Sequence, residues 1–149
     1  MIGQEAFMKR KKEIIGVVYF TVALFLALCL LSYHPSDPSF TRFVPEYQSV
    51  QNIVGAVGSY TADSLIRLVG ASAFWFSIFL FVVAFRYFKE EDFKIGIIGA
   101  VGLAGIVVAT SALFAAAVGD MTVYGARMRT GGLLGSFLAG LLDAYLNPI

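Results

Sequence analysis

The sequence is short of charge and of the residue types that carry most protein chemistry. Charged residues fill 14% of its 149 positions, where a soluble globular domain has about 25%. The net charge is +1, so no global basic field draws in nucleic acid. Cys29 is the single cysteine and His34 the single histidine. One cysteine excludes an internal disulfide, and one of each leaves too few soft ligands for a protein-only zinc site. His34 and Asp37 together are two ligands, too few to hold a cation. No GxxxxGKS or GxxxxGKT phosphate loop occurs, so no nucleotide is expected to bind. No serine or cysteine has a base beside it, because the one histidine lies in a proline-rich segment. The sequence therefore assigns no catalytic, cofactor-binding or metal-binding residue.

What is present is apolar. Hydrophobic residues make up 58% of the chain and mean hydropathy is +0.79. A polar, basic stretch at 1–13, with Lys9, Arg10, Lys11 and Lys12 in a row, precedes an uncharged run over 14–33. That run has the roughly 20 residues needed to cross about 30 Å of hydrocarbon. It is too long for the apolar core of a cleaved signal and no small-residue cleavage site follows, so it reads as a retained helix. A second uncharged run covers 68–85 and a third 95–119. Arg86, Lys89, Glu90, Glu91, Asp92 and Lys94 lie between them as a tight charged turn. Tyr33, Phe85, Tyr87 and Phe88 sit where aromatic rings prefer the membrane edge. These patterns predict an all-α membrane protein, a polytopic helical bundle with three clear spans and a lipid bilayer as its first partner.

Charge bias orients the bundle. With the N-terminus inside, the inner side carries Lys9, Arg10, Lys11, Lys12, Arg86, Lys89 and Lys94, and the outer side Arg42, Arg67, Arg127 and Arg129. Seven against four, with the densest cluster before the first span, predicts a cytoplasmic N-terminus. In the third span, Gly96, Ala100 and Ala104 are small at every fourth position, whereas the Gly102/Ile106 frame is not. Either the first frame seats another helix, within the chain or in a homo-oligomer, or it reflects only the frequency of glycine in membrane helices.

The outer segments are more patterned. Residues 34–52 hold three of the four prolines, and His34-Pro35 and Asp37-Pro38 end the first helix because a residue before proline is pushed out of the helical region. Asn52 is placed to cap a helix over 53–67, amphipathic and too polar for mid-bilayer, lying at the outer interface and leading into the second span. Asp63 and Arg67, at i and i+4, form an ion pair on one face. A solvated pair is the favoured reading over a proton relay. Residues 131–149 form a fourth apolar segment whose Asp143 and Asn147-Pro148 fall where an apolar end is needed. Aligning Gly55 with Gly135 places Asp63 on Asp143, a short pseudo-repeat in which an outer helix feeds a returning span.

In order along the chain, Ser32-Tyr33-His34-Pro35-Ser36-Asp37-Pro38-Ser39-Phe40, then Asn52 to Gly58, Ala62-Asp63 and Gly131-Gly132-Leu133-Leu134-Gly135 resemble the N-terminal four-span membrane domain of the FtsK/SpoIIIE DNA translocases. The resemblance implies a domain at 14–149 that anchors and assembles a translocase in the bacterial inner membrane at the division septum. It implies contacts with other division proteins. It also implies a cytoplasmic ATPase motor that pumps DNA during chromosome segregation, of which this sequence contains nothing. The chain is then a domain, a truncated product or a short relative. Rival readings are a stand-alone division scaffold without a motor and a small transport or channel subunit. On the anchor reading, the outer surface available to other proteins comprises His34, Pro35, Asp37, Pro38, Phe40, Asn52, Gly55 and Asp63.

Overall fold

The computed structural model describes residues 2–42, 49–89, 96–124 and 126–146. Helix α1 (Ile2–Leu31) is followed by α2 (Gly55–Val69), a 3-10 turn (Gly70–Ala73), α3 (Phe74–Phe88) and α4 (Ile97–Ala117). A short antiparallel hairpin, β1 (Asp120–Val123) and β2 (Ala126–Arg129), leads into α5 (Gly132–Leu146). Among the described residues, three segments are long and apolar enough to cross a membrane: Phe7–Leu31, Gly55–Phe88 and Ile97–Ala117. Large apolar side chains are exposed along all of them, from Val17 and Val22 on α1 to Ile97 and Ile98 on α4. Such apolar helix surfaces suit lipid rather than water.

The middle segment is not one rod. Gly70 has φ 66° and ψ −143°, which turns the chain sharply between α2 and α3, so α2 is a helix of its own ahead of the second span. Helix α3 alone is about 22 Å long at 1.5 Å per residue. The 3-10 turn adds about 8 Å, which brings the pair to the hydrocarbon thickness. The returning span thus runs from Gly70 to Phe88, slightly later than the 68–85 expected from charge spacing. Helix α1 begins well before residue 14 and takes the Lys9 to Lys12 cluster into its first turns. It ends at Leu31, which leaves Tyr33 beyond it. Most of the charged turn at 90–95 lies outside the described residues. The hairpin at 120–129 was not expected from the sequence, and its register pairs Asp120 with Arg129 and Met121 with Met128.

Helix α3 runs back along α1. Phe20 meets Phe81 edge-on at 5.4 Å and Phe88 at 6.4 Å, while Tyr19 stacks on Tyr87 at 5.7 Å. Gly16 makes room for this seam, since a Cβ there would lie 3.0 Å from the Phe88 ring. Lipid tails are as apolar as these side chains, so packing rather than the hydrophobic effect must hold the seam. The most buried cluster sits at the far end of α1, where Cys29 and Leu30 meet Ala62, Ile66 and Ala73.

Two left-handed glycines lock that end together. Gly132 (φ 64°) begins α5 against Gly70, and a Cβ on either would enter the backbone of the other's segment. Between them the Ala71 amide donates to the Thr130 carbonyl at 2.8 Å. The Thr130 hydroxyl reaches the Phe114 carbonyl in the last turn of α4 and the Gly119 carbonyl just beyond it, at 2.8 and 2.7 Å, tying the end of α4 to the chain that enters α5. Gly131 and Gly135 lie against the Ser111 carbonyl and Ala115. Ser111 Oγ donates to the Val69 carbonyl at 3.0 Å, and Thr110 Oγ1 to Ser72 Oγ at 2.9 Å. Helix α5 is about 22 Å long, shorter than a full span, and packs on α4 and α2. Both α2 and α5 open on a left-handed glycine, but the counterpart of Gly55 is Gly132, not Gly135. Asp63 is buried whereas Asp143 is exposed, so the two acids do not share an environment.

Gly70→Ala should lower stability by about 3 kcal/mol or abolish folding, because strain in a glycine-only conformation adds to a backbone clash. Gly99, within the third span, has nothing within 4 Å of its would-be Cβ. Gly99→Ala should leave stability unchanged or raise it by up to about 1 kcal/mol. Unfolding in detergent followed by circular dichroism separates the two.

Candidate functional site

The side chains singled out by the sequence converge on the far end of α1. A helix ends with carbonyls that have no partner within the helix. Here the Leu28 and Leu30 carbonyls are met locally by the Ser32 and Tyr33 amides, but that of Cys29 is not. Asn52, from the other side of the proline-rich segment, supplies the missing donor. Its Nδ2 donates to the Cys29 carbonyl at 2.9 Å and the Ser32 carbonyl at 3.2 Å. Its Oδ1 accepts from the Val54 amide at 3.0 Å. Asn52 therefore caps the C-terminal end of α1. It is not the residue that flanks α2, which is Val54 and has no side-chain cap.

Asp37 holds Asn52 in place. Its two carboxylate oxygens accept from the Gln51 and Asn52 amides at 2.8 Å each. Asp37 and Asn52 are 6% and 3% exposed, so each bond is made away from water, where an unpaired partner would be expensive. Gly58 packs on the Asn52 side chain so closely that a Cβ would collide with its Oδ1. Ser59 Oγ ties the first turns of α2 to the Pro38 carbonyl at 3.0 Å.

A second polar group lies one turn along α2. Asp63 Oδ2 accepts from Arg67 Nε at 2.6 Å and Oδ1 from the Tyr33 hydroxyl at 3.2 Å. Asp63 is 6% exposed and Arg67 is part-exposed. The carboxylate is thus enclosed by a cation and a phenol rather than solvated. Burial pushes the Tyr33 phenol up to about 12, with the Asp63 charge adding to the shift. It remains a proton donor throughout the physiological range. Three residues end to end do not form a relay across a membrane.

The remaining candidates divide by exposure. Phe40 is 82% exposed and meets Tyr60 edge-on at 4.9 Å. His34 is half-buried, with its ring 4.5 Å from that of Tyr124 and its Nδ1 accepting from the Ser36 amide. Pro38 and Gly55 are half-buried and Pro35 is buried. Phe40 is thus the side chain most open to another molecule, His34, Pro38 and Gly55 are partly so, and Asp37, Asn52 and Asp63 face inward. Phe40 also borders an open apolar groove of about 870 Å³ that includes Tyr60, Phe76, Phe79 and Leu103. Among the described residues no group of three or more His, Cys, Asp or Glu could hold a metal ion. Sequence reasoning passed over Thr130, Gly70 and the hairpin. A glycine at 125 between the runs 120–123 and 126–129 is a weak hairpin signal, and no local pattern marks Gly70 or Thr130.

The family model described as the 4TM region of DNA translocase FtsK/SpoIIIE matches residues 8–149. Among curated relatives, the DNA translocase FtsK of Azospirillum brasilense is 28% identical over 129 residues, covering 87% of this chain and 20% of the relative. The DNA translocase FtsK of Pseudomonas putida is 34% identical over 82 residues, and that of Pseudomonas syringae pv. syringae 30% over 82 residues. Each of these two alignments covers 55% of this chain and 10% of the relative. The chain therefore spans about a tenth to a fifth of the length of these relatives. No solved structure matches it significantly.

Asn52→Ala should lower stability by about 2–4 kcal/mol, because it strands the carbonyls at a buried helix end. Asn52→Asp should be no better, since it turns an acceptor toward two carbonyls. Tyr33→Phe, which removes one hydrogen bond, should lose about 1 kcal/mol. Denaturation in detergent that ranks Tyr33→Phe above Asn52→Ala in loss would contradict the assignment of Asn52 as the cap.

Proposed function

We propose a membrane-anchoring role from one established premise: the chain belongs to the family described as the 4TM region of the DNA translocases FtsK and SpoIIIE. The chain is the anchor and assembly domain of a bacterial DNA translocase that acts in cell division and chromosome segregation, and it carries no catalysis itself. It sits in the inner membrane with its N-terminus cytoplasmic, enriched at the septum. The observation that carries this reading is the family match over nearly the whole chain, on a bundle with three membrane-crossing segments. The names of the relatives supply the translocase and the positive-inside rule supplies the orientation.

The rigid outer end fits assembly. Asp37, Asn52 and Thr130 fix the path of the chain there, so Phe40 and His34 are presented on an ordered surface, where a partner pays little to order them. A transport role has less support. The runs 14–31, 74–85 and 97–117 hold no charged residue, whereas membrane pathways for ions and protons are marked by such groups.

The test is a fluorescent fusion of this chain expressed in a dividing bacterium. The chain should fractionate with the inner membrane and concentrate at midcell. Phe40→Ala with His34→Ala should keep the membrane signal and reduce the midcell signal. Soluble fractionation would refute the anchor. Undiminished midcell enrichment in the double variant would remove this surface from assembly.

A further inference from the structure

Four arginines that lie far apart in sequence line one cavity of about 390 Å³ at the end of the bundle remote from Lys9 to Lys12. They are Arg42 from the proline-rich segment, Arg67 from α2, and Arg127 and Arg129 from β2. Tyr33 and Thr41 add two hydroxyls to its wall, and Ile66, Met128 and Leu133 add an apolar side. In the sequence these arginines register only as the minority charge of the outer side. The hairpin is what brings them together. It folds back so that three consecutive residues of one short strand, Arg127, Met128 and Arg129, all border the cavity.

The charges do not balance. Arg67 is paired with Asp63 at 2.6 Å. Arg127 meets Asp120 at 3.3 Å, but their side chains are 83% and 42% exposed, and an exposed pair of this kind contributes little. Arg42 donates to the Pro35 carbonyl, a neutral acceptor that leaves its charge uncompensated. Arg129 has no ion pair among the described residues. Among the described residues, four guanidinium groups thus line one cavity whose lining holds no carboxylate, and Asp63 and Asp120 pair with two of them from outside that lining. Guanidinium forks match the oxygens of a phosphate two at a time, and they are favoured over lysine where such recognition matters.

We propose that this cavity binds an anionic phosphate ester. The phosphate lies among Arg42, Arg127 and Arg129, and the organic part lies against Ile66, Met128 and Leu133. The volume is in the range of small-ligand sites. Tyr33, two residues past the end of α1, places the cavity at the depth where lipid headgroups lie. Two sources share this chemistry: the headgroup of an anionic phospholipid and a soluble phosphate ester.

The experiment uses the chain in a neutral detergent and follows thermal unfolding by circular dichroism. Phosphatidylglycerol, phosphatidylcholine or glycerol 3-phosphate is added in turn. Phosphatidylglycerol should raise the midpoint, as any ligand of the folded state does, and phosphatidylcholine should not. Arg127→Gln with Arg129→Gln should remove that rise and weaken the dissociation constant, read by native mass spectrometry, by about tenfold or more. Arg129→Gln alone, the milder change, should reduce it. Lys11→Gln at the opposite end should leave the rise intact, which separates the cavity from general attraction of anionic lipid. An arginine-dependent rise with glycerol 3-phosphate alone assigns the site to a soluble ester. The proposal is overturned if neither phosphatidylglycerol nor glycerol 3-phosphate raises the midpoint, if the double variant responds as the parent does, or if an acidic peptide free of phosphate binds more tightly than these two.

Discussion

The Asn52 side chain at the end of α1 is the contact on which the half of this molecule remote from Lys9 to Lys12 depends. A membrane helix cannot leave its last carbonyls bare where they are buried by protein. Here the donor comes from 23 residues further along the chain, so satisfying the helix also closes the proline-rich segment. Asp37 fixes the backbone of Asn52, Gly58 admits its side chain, and the chain then enters α2 in register with Tyr33. One local requirement of α1 thereby positions α2, and through α2 the Asp63–Arg67 pair.

The same logic recurs at the second junction with different residues. Thr130 ties the end of α4 to a remote segment as Asn52 ties α1: its hydroxyl reaches the carbonyls of Phe114 and Gly119, and its own carbonyl receives the amide that follows Gly70. The two left-handed glycines allow the approach. Burial of apolar surface gives little gain between helices in lipid. Directional bonds at the helix ends, where the dielectric is low and water scarce, are therefore well suited to specify this arrangement. The polar ties of the fold concentrate there. Along the spans the contacts are close-packed rings, such as Phe20 on Phe81, which permit small adjustments.

What was legible in the sequence follows from this division. The spans announced themselves through length and freedom from charge, because hydrocarbon imposes that condition on every residue it touches. The Asp63–Arg67 pair was legible because helix geometry makes i and i+4 neighbours. Asn52 was correctly seen as a cap but matched to the wrong helix. Propensity sees the residues that follow an asparagine, not a carbonyl brought near by a loop. Asp37 and Asn52, placed among the outer residues, turned out to face inward for the same reason: each is polar in isolation and satisfied only by a segment remote in sequence. The hairpin was missed since four-residue strands with Met, Thr and Arg carry almost no periodic signal. The convergence of four arginines could not be read without it.

The two ends of the bundle therefore have different physical characters. The end that holds Asn52 and Thr130 is cross-tied by side chains that each serve two segments, so it resists deformation as a unit. Helix α4, by contrast, buries only Val107 and Ser111 along its length, and Gly99, Gly102 and Gly105 have open space over them. The proposed anchor needs one rigid reference surface to transmit position, and the cross-tied end fits that need. It also needs a lipid-facing body that tolerates the varying thickness of a bilayer, and uncharged helices joined by ring contacts meet that need at small cost. Changing the ties should alter where the cross-tied surface points. Changing the exposed face of α4 should alter what lies beside the bundle while leaving that surface in place.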